Sequence, residues 1–383
     1  MDKPTVQDIF HRFYPASLDQ YSPSPVQAKV AHNIMNCKTG AYGANVCVCE
    51  DCGFVQIHYN SCRNRCCPMC QAVPKEMWMD ARREDVLDAP YFHLVFTVPD
   101  ILNPVIYSNQ RLLYDALYHA ASSTISELTA DPKHLGAKVG YICILHTWGS
   151  EMNFHPHIHA ILLGGGLASN NQWKDNGENF FLPIRVISKM FRGKYLEELK
   201  RLWEEDKLVF HGTAEKFRNH YTFKELLDSC YGMDWIPHCK KTFNGAQTVI
   251  KYLGKYTHRI AVSNHRIVRM DDDTVTFLVK DYRNEGQWKE LTISGVEFVR
   301  RFLMHVPPRR FVRIRHYGLL CSRTKSQKLT LCRNLLGCKK YLSKLRDMEM
   351  PEILEHLYGI KVCVCKACGG HLGKPQMRMP LRC

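Results

Sequence analysis

The stretch 153–162 places His157 and His159 on either side of Ile158 and then continues into an apolar run. Alternate residues of a β-strand point to the same side, so both imidazoles are predicted to project from one face while Ile158 points into a core. Two imidazoles on one rigid face suit a metal ion. The alternative is an edge strand with solvated histidines, and the pair alone does not decide between the two.

The composition bounds the class of protein. The chain has 383 residues, 45% of them hydrophobic, which leaves room for two or three domains with substantial cores. It has no apolar run of membrane-spanning length and no apolar segment typical of a signal peptide, so we predict a cytoplasmic, nucleoid-associated protein. Its 18 cysteines are therefore expected in a reducing compartment, where Cys-x-x-Cys pairs bind metal more often than they form disulfides.

The net charge of +15 is concentrated in one segment. Residues 300–346 contain fourteen lysines and arginines and no aspartate or glutamate. Such a segment favours a polyanionic partner, although it also suits a solvated face that keeps a protein soluble. The residues expected to bind phosphates are Arg309, Arg310, Arg313 and Arg315. The residues expected to stack on bases are Phe302, Phe311, Tyr317 and Tyr341.

Two Cys-x-x-Cys pairs near the N-terminus predict a structural zinc site. Fourteen residues separate the pairs, and four thiolates from two such turns complete a closed tetrahedral site. The predicted ligands are Cys49, Cys52, Cys67 and Cys70. The further cysteines either contribute to a second site, with His32 or His58, or are buried thiols; they are Cys37, Cys47, Cys62 and Cys66. Between the pairs, Arg63 and Arg65 are expected to face outward and contact phosphate.

The C-terminal tail carries its own cysteine cluster. Cys363, Cys365, Cys368 and His371 have the spacing of half a zinc ribbon, and Cys383 is a candidate to complete a metal site with them. The alternative is a frayed tail without metal.

Hydrophobic periodicity predicts an α+β fold around the histidine strand. Strands are expected at 91–98 and 140–148, and the second should form a hairpin with 157–163, ended by the glycines at 164–166. Helices are expected at 112–128, 184–203 and 246–259. We divide the chain into an N-terminal helical and zinc-binding domain (1–88), a domain containing the sheet (89–306) and a basic DNA-binding region with a cysteine-rich tail (307–383).

The predicted helix 246–259 carries two tyrosines at a spacing that places them on one face. Tyr252 and Tyr256 are four residues apart, and Lys255 and Arg259 flank that face. A tyrosine beside cations and a divalent metal is a nucleophile suited to phosphoryl transfer. Core aromatics at helical spacing are the alternative.

Taken together, these motifs resemble those of HUH endonucleases, in which two histidines enclose one hydrophobic residue. The chain is more closely similar to transposases of the insertion-sequence-91 family and their common-region relatives. The stretches that carry the resemblance, in order along the chain, are 60–71, 92–99, 145–149, 155–159, 252–259 and 313–319. The resemblance implies an HUH nuclease domain with a central antiparallel sheet flanked by helices, together with an N-terminal zinc-ribbon-like domain. It also implies rolling-circle-like transposition.

In that reaction Tyr252 and Tyr256 would be the catalytic residues, and one of them would hold the 5′ end of a nicked strand as a phosphotyrosine. We expect Tyr256 to attack first, since Lys255 and Arg259 lie beside it, and Tyr252 to serve a second transfer. The expected partners are single-stranded DNA and a hairpin or duplex at the element ends, and a host helicase is a candidate. Alternatives are a metal-dependent nuclease without a covalent intermediate and a non-catalytic zinc protein that binds nucleic acid.

The resemblance also implies three ligands for the catalytic metal, two of them His157 and His159. His146, on the partner strand, faces the same way if it opposes His159. The competitor is Gln247, which at 100° per residue lies about 140° from Tyr252 and about 180° from Tyr256 around the helix, and this geometry favours His146. The expected ion is Mg²⁺ or Mn²⁺. Histidine ligands suit Mn²⁺ or Zn²⁺ better than Mg²⁺, whereas cellular abundance argues the other way. Structural Zn²⁺ is expected at the cysteines.

Overall fold

The computed structural model describes residues 3–175, 182–235, 238–242, 249, 254, 260–281 and 285–378. The helices in this part of the chain are α1 (Val6–Ser17), α2 (Pro25–Met35), α3 (Ala72–Arg83), α4 (Asn103–Ser108), α5 (Gln110–Ala130), α6 (Ile184–Glu204), α7 (His220–Gly232), α8 (Gly295–Met304), α9 (Lys325–Leu336) and α10 (Met350–Tyr358). The strands are β1 (Ala44–Val48), β2 (Val55–Tyr59), β3 (Tyr91–Thr97), β4 (Lys138–Trp148), β5 (Phe154–Leu167), β6 (Trp173–Asp175), β7 (His238–Thr242), β8 (Ile267–Met270), β9 (Thr274–Asp281), β10 (Gln287–Ser294), β11 (Ile314–Gly318) and β12 (Gln376–Arg378).

The largest sheet runs in the order β11-β4-β5-β3-β7, with every neighbouring pair antiparallel and with β6 added beside β5. The predicted hairpin of β4 and β5 is confirmed. The prediction that glycines 164–166 end the strand is wrong, because β5 continues to Leu167. A Cβ on Gly166 would lie 2.4 Å from the Lys138 carbonyl oxygen, and one on Gly165 2.4 Å from the Trp173 ring, so glycine here permits close strand packing.

The two faces of this sheet are covered differently. α5, α6 and α7 pack on one face, over the side chains of Phe92, Leu94, Ile158 and Leu162. Alternate residues point to the opposite face, where Ile144, Ile161 and Leu163 pack with residues of α3 and α9. This arrangement, an antiparallel sheet flanked by helices, confirms the predicted α+β class.

A second core joins the N-terminal helices to the strands that follow the tyrosine motif. α1 and α2 each begin with a capping box, at Thr5 and Ser24 respectively, and their apolar faces pack on β8, β9 and α8. Phe302 of α8 lies in this core with no exposed surface, and Phe311 is 2% exposed in the core of the main sheet. The prediction that these two rings stack on DNA bases is therefore wrong, because neither ring reaches solvent.

β8, β9 and β10 form a second sheet, in the order β10-β9-β8. A small third sheet combines N-terminal and C-terminal strands, in the order β12-β1-β2. β1 and β2 form the N-terminal ribbon, and β12 pairs with the free edge of β1. β11, at residues 314–318, belongs to the central sheet although it lies beyond the predicted boundary at 306; the division into three domains stays a prediction. Among the described residues, no helix is both long and apolar enough to span a bilayer.

Candidate active site

Three histidines converge on the face of the central sheet that α3 and α9 leave partly open. His157 and His159 lie on β5 and His146 on β4, and all three are at least 92% buried. One ring nitrogen from each falls in a group whose members all lie within 4.8 Å of one another. Nε2 of His157 is 3.0 Å from Nε2 of His159. This is the spacing of a group that can hold one metal ion.

The register of the hairpin explains how His146 joins the pair. His146 lies opposite His157, and Ile144 lies opposite His159. The register expected from the sequence, with His146 opposite His159, is therefore shifted by two residues. A shift of two keeps every side chain on its own face, so His146 still points toward the pair. Gln247, the competing candidate, lies outside the described residues.

Hydrogen bonds from behind the rings orient two of the histidines. Nδ1 of His157 donates to the backbone carbonyl of His155 at 2.6 Å, which leaves its Nε2 with a lone pair. Nδ1 of His159 lies 2.8 Å from Nε2 of His93 on β3. His146 stacks on Trp148 with ring centroids 4.6 Å apart. Partners of this kind fix which nitrogen faces a metal.

Burial keeps the imidazoles of His157 and His159 uncharged. It lowers the pKa of His157 to about 4, and burial together with the neighbouring histidines lowers the pKa of His159 well below its usual value. The neutral imidazole is the form that binds metal, so the site is poised for an ion at neutral pH.

The histidines form one wall of a cavity of about 880 Å³. Its described lining includes four lysines and arginines, namely Arg65, Lys75, Arg266 and Lys280. No aspartate or glutamate is among the described residues that line it. A cavity with this charge suits a phosphate group rather than a cationic or neutral substrate.

The cavity lining also includes an exposed tryptophan, Trp288 of β10, with 54% of its surface accessible. The Nζ of Lys280 lies 5.4 Å from the centre of its ring, and the guanidinium carbon of Arg266 lies 5.7 Å from it. Arg266 is held by hydrogen bonds to the carbonyls of Leu278 and Ser150. A ring flanked by cations is a surface on which a nucleic-acid base can stack.

The predicted nucleophiles Tyr252 and Tyr256, with Lys255 and Arg259, lie outside the described residues. Gly254, midway between the tyrosines, is described; it is helical, buried and lines the same cavity. A Cβ added to Gly254 would lie 1.9 Å from the sulfur of Met79 on α3. Because it has no side chain, Gly254 itself can pack directly on Met79 of α3.

The cysteines form two groups, and neither is a set that the sequence predicted. Cys37, Cys62, Cys67 and Cys70 make one group, and Cys49, Cys52, Cys365 and Cys368 make the other. The prediction that Cys49 and Cys52 share an ion with Cys67 and Cys70 is wrong. The β1–β2 hairpin separates the two pairs. Cys49 and Cys52 lie at its turn, whereas Cys67 and Cys70 group with Cys37 and Cys62 at its open end. Strands of five residues at ~3.3 Å per residue place these two ends about 16 Å apart. Neither His32 nor His58 belongs to a group among the described residues. Cys363 and His371, the other candidates for a site in the C-terminal tail, belong to no group among the described residues, and Cys383 lies outside them.

The arginines expected to bind DNA occupy different environments. Arg63, Arg309 and Arg310 are exposed, whereas Arg65 lines the cavity and donates to the carbonyls of Phe311 and Pro308. Their DNA contacts stay predictions.

Two further arginines from the same prediction pack against aromatic rings of the sheet region. The Arg313 guanidinium lies 5.9 Å from the Trp148 ring centre. Arg315 pairs with Asp115 and stacks on Tyr118, on the sheet face opposite the histidines. Arg315 is therefore turned away from the cavity, and a DNA contact from it would have to lie outside this site.

Other cations of the basic segment pair with acids of the helix α3 and its C-terminal end. Lys325 pairs with Asp85, and Arg346 pairs with Glu84. Tyr341, expected to stack on bases, instead donates its hydroxyl hydrogen to Asp80. Tyr317 stacks on Tyr141. Part of the charge in this segment therefore holds the fold together.

Sequence reasoning missed His93, Lys280 and Trp288 as members of this site. His93 was detectable as a single histidine in an otherwise apolar strand, on the same face as Val95, which pairs with His159. Lys280 and Trp288 gave no comparable signal, because the strand pairing that brings them together at the cavity depends on the fold.

Two family models match this chain, one near its N-terminus and one over its middle. Residues 9–98 match the family model described as "Transposase zinc-binding domain", and residues 140–328 match the model described as "Putative transposase". The chain is 40% identical to "Putative transposase y4qJ" of Sinorhizobium fredii, over 95% of this chain and 93% of that protein.

Two further proteins are similar to this chain. It is 30% identical to the transposase for insertion sequence element IS801 of Pseudomonas savastanoi pv. phaseolicola, over 79% of this chain and 72% of that protein. Among solved structures, the metal-bound conjugative relaxase TrwC in complex with oriT DNA is 14% identical, with a TM-score of 0.26 over 44% of this chain and 71% of that one.

Proposed function

Because this chain belongs to the insertion-sequence-91 family of HUH transposases, we propose that it cuts and rejoins single-stranded DNA at insertion-sequence ends through a 5′-phosphotyrosine intermediate. The observation that carries the proposal is the shared cavity. Its lining combines three buried histidines, four lysines and arginines, and Gly254 from between the two tyrosines.

The histidine group fits a divalent cation, since three ring nitrogens converge there and the cavity supplies open space for further ligands. We propose that His146, His157 and His159 hold Mg²⁺ or Mn²⁺; all-imidazole ligation suits Mn²⁺ better. Such an ion would supply positive charge to the scissile phosphate and to the departing oxygen.

In the proposed first step, the phenol oxygen of Tyr256 attacks the phosphorus and the bond to the 3′-oxygen breaks. The tyrosine gives up its proton, and the departing 3′-oxygen takes one up to become a hydroxyl. A 3′-hydroxyl of another strand then attacks the phosphotyrosine and releases the tyrosine. The number of phosphate ester bonds is conserved, so no external energy source is needed. Tyr252 would serve the second strand transfer.

We propose that the single strand lies along the wall formed by Arg266, Lys280 of β9 and Trp288 of β10. Lys280 and Arg266 would bind its phosphates, and Trp288 would stack on a base beside them. Arg65 and Lys75 extend the positive charge on the side of the N-terminal region. Arg63, Lys255, Arg259, Arg309, Arg310 and Arg313 are proposed as additional contacts along the strand or at a hairpin in the element end.

The group Cys37, Cys62, Cys67 and Cys70 is proposed to hold structural Zn²⁺. Two of its sulfurs, those of Cys62 and Cys70, are 3.8 Å apart, and Cys67 is fully buried. Four thiolates leave no open position for catalysis, so this ion would shape the unit from which Arg65 reaches the cavity.

One gel tests the proposed reaction. Labelled single-stranded oligonucleotides carrying the element ends are incubated with the full chain and Mn²⁺, then separated under denaturing conditions. We expect a labelled band at the mass of protein plus DNA, lost in the Tyr252→Phe/Tyr256→Phe double variant. Free cleavage products without such a band would indicate a nuclease without a covalent intermediate. Intact DNA would indicate a binding protein.

A further inference from the structure

The C-terminal tail of the chain is built into the N-terminal ribbon. β12 pairs with β1, with Ala44 opposite Arg378 and Val46 opposite Gln376. The pairing continues as a bridge between Cys49 and Leu372. The amide of Gly373 donates to the carbonyl of Val48 at 2.9 Å. The tail therefore completes this ribbon sheet as its third strand.

Two matching turns face each other where the tail meets the ribbon. One reads Cys49-Glu-Asp-Cys52-Gly53 and the other Cys365-Lys-Ala-Cys368-Gly369. In each, the glycine amide donates to the carbonyl of the first cysteine at 3.0 Å, and the glycine has a positive φ, 70° at Gly53 and 77° at Gly369. A turn closed in this way brings both thiols to one side, as in the two halves of a zinc ribbon.

The four sulfurs of these turns have the separations of a tetrahedral thiolate site. Sγ of Cys49 is 3.5 Å from Sγ of Cys368, and Sγ of Cys52 is 3.8 Å from Sγ of Cys365. Four sulfurs at ~2.3 Å from one zinc ion lie about 3.8 Å apart. Disulfide bonds would need a sulfur–sulfur distance of about 2.05 Å. We propose that Cys49, Cys52, Cys365 and Cys368 hold a structural zinc ion that fastens the C-terminal tail to the N-terminal ribbon.

The surroundings of the four cysteines are fitted to one another across the junction. Leu372 packs in a small buried cluster with Cys47, Cys49 and Cys365. The amide of His371 donates to the carboxylate of Asp51 at 3.2 Å. A Cβ on Gly370 would lie 1.7 Å from the same carboxylate, so only glycine permits this approach. The tail is therefore seated on the ribbon by packing as well as by the proposed ion.

The site lies partly outside both regions that match known families, which end at residues 98 and 328. It makes the ribbon a composite of sequences more than 300 residues apart. The turn between β1 and β2 then shares its metal ligands with the C-terminal tail. The segment between β11 and the tail is held at one end by the central sheet and at the other by the ribbon. The inference does not depend on the proposed strand transfer, because metal content is measured without DNA.

The full-length chain and its variants test the site through zinc stoichiometry. We expect two zinc ions per chain in the wild type and one in the Cys365→Ser/Cys368→Ser variant. The matched control, Cys363→Ser, changes an exposed neighbouring cysteine that belongs to neither group, and should keep both ions. A double variant that holds as much zinc per chain as the wild type would contradict the proposal.

A measurement on the wild type alone covers the case in which the double variant fails to fold. The zinc-loaded chain is treated with an alkylating reagent, and each cysteine is followed by peptide mass spectrometry before and after addition of a chelator. Cys49, Cys52, Cys365 and Cys368 should be protected together and become reactive together, while Cys363 reacts throughout. Alkylation of Cys365 and Cys368 in the loaded protein at the rate of Cys363 would rule the site out.

Discussion

His93 and His159 meet across neighbouring strands, with Nε2 of His93 2.8 Å from Nδ1 of His159 and their rings stacked at 5.0 Å. Since Nδ1 of His159 is engaged by His93, its Nε2 is the nitrogen that faces His157. His93 is therefore a positioning residue, which holds a proposed metal ligand without itself belonging to the group of three.

Replacing His93 with alanine should weaken metal binding without abolishing the reaction. Loss of such a supporting partner typically lowers metal affinity about 10- to 100-fold. We expect the Mn²⁺ concentration that gives half-maximal adduct formation to rise by that factor, with partial recovery in His93→Gln. His211→Ala, an exposed histidine away from the cavity, is the control. An unchanged Mn²⁺ dependence in His93→Ala would contradict the positioning role.

Gly254→Ala should impair the reaction by disturbing the contact between residue 254 and Met79 of α3. The added methyl group meets Met79, so either the methionine or residue 254 must move. We expect adduct formation to slow by about tenfold, corresponding to ~1.4 kcal/mol, and to recover in the Gly254→Ala/Met79→Ala double variant. Equal loss in the single and double variants would show that the contact with Met79 is not the cause.

Trp288→Ala should weaken binding of single-stranded DNA by about 1 to 3 kcal/mol, the usual contribution of stacking one base. Trp288→Phe keeps an aromatic face and should retain most of the affinity. Tyr221→Ala removes an aromatic residue that is 76% exposed and outside the cavity lining, and should have no effect. Fluorescence anisotropy with a labelled oligonucleotide measures the affinity of all three variants. Equal affinity of Trp288→Ala and wild type would show that single-stranded DNA does not bind along this wall of the cavity.

Glu297 in α8 provides a prediction about stability and pH. Hydrogen bonds from Arg300, and then from Arg301, lower the pKa of Glu297 from 4.5 to about 2. A lowered folded-state pKa means that the stabilisation is present above pH 4.5 and is lost as the pH falls toward about 2. Glu297→Gln should therefore reduce the free energy of unfolding by about 2 kcal/mol at pH 7, and by progressively less below pH 4.

Urea unfolding of the wild type and the Glu297→Gln variant at matched pH values measures this difference in the free energy of unfolding. Effects of pH that both proteins share, including those on the cysteines, cancel in the comparison. Glu290→Gln is the matched control. Glu290 pairs with Arg269 with about half of each side chain exposed, and such a pair contributes little. A Glu297→Gln deficit that did not shrink at low pH would show that its cause is not the carboxylate charge.

The sequence predicted the parts of the site that depend on local periodicity. The spacing of His157 and His159 required a common face, and this holds for His146 despite the register shift, because a shift of two preserves the face. The predicted hairpin and its flanking helices depend on the same local patterns.

The predictions that were wrong depend on which residues the fold brings together in space. Proximity in sequence suggested that Cys49 and Cys67 share an ion. A hairpin with five-residue strands separates them, and the fold brings Cys365 to Cys49 instead. Phe302 and Phe311 lie among arginines in the sequence, yet their side chains point into cores formed by distant helices and strands. Local composition carries no information about such packing.

The central claim is that a tyrosine of this chain carries the DNA covalently. The most direct measurement is mass mapping of the Mn²⁺-dependent adduct, in which the trapped complex is digested with nuclease and protease and the nucleotide-bearing peptide is sequenced. We expect a 5′-phosphotyrosine at Tyr256, and at Tyr252 instead in the Tyr256→Phe variant. Cleaved DNA with a free 5′-phosphate and no modified tyrosine would contradict the central claim.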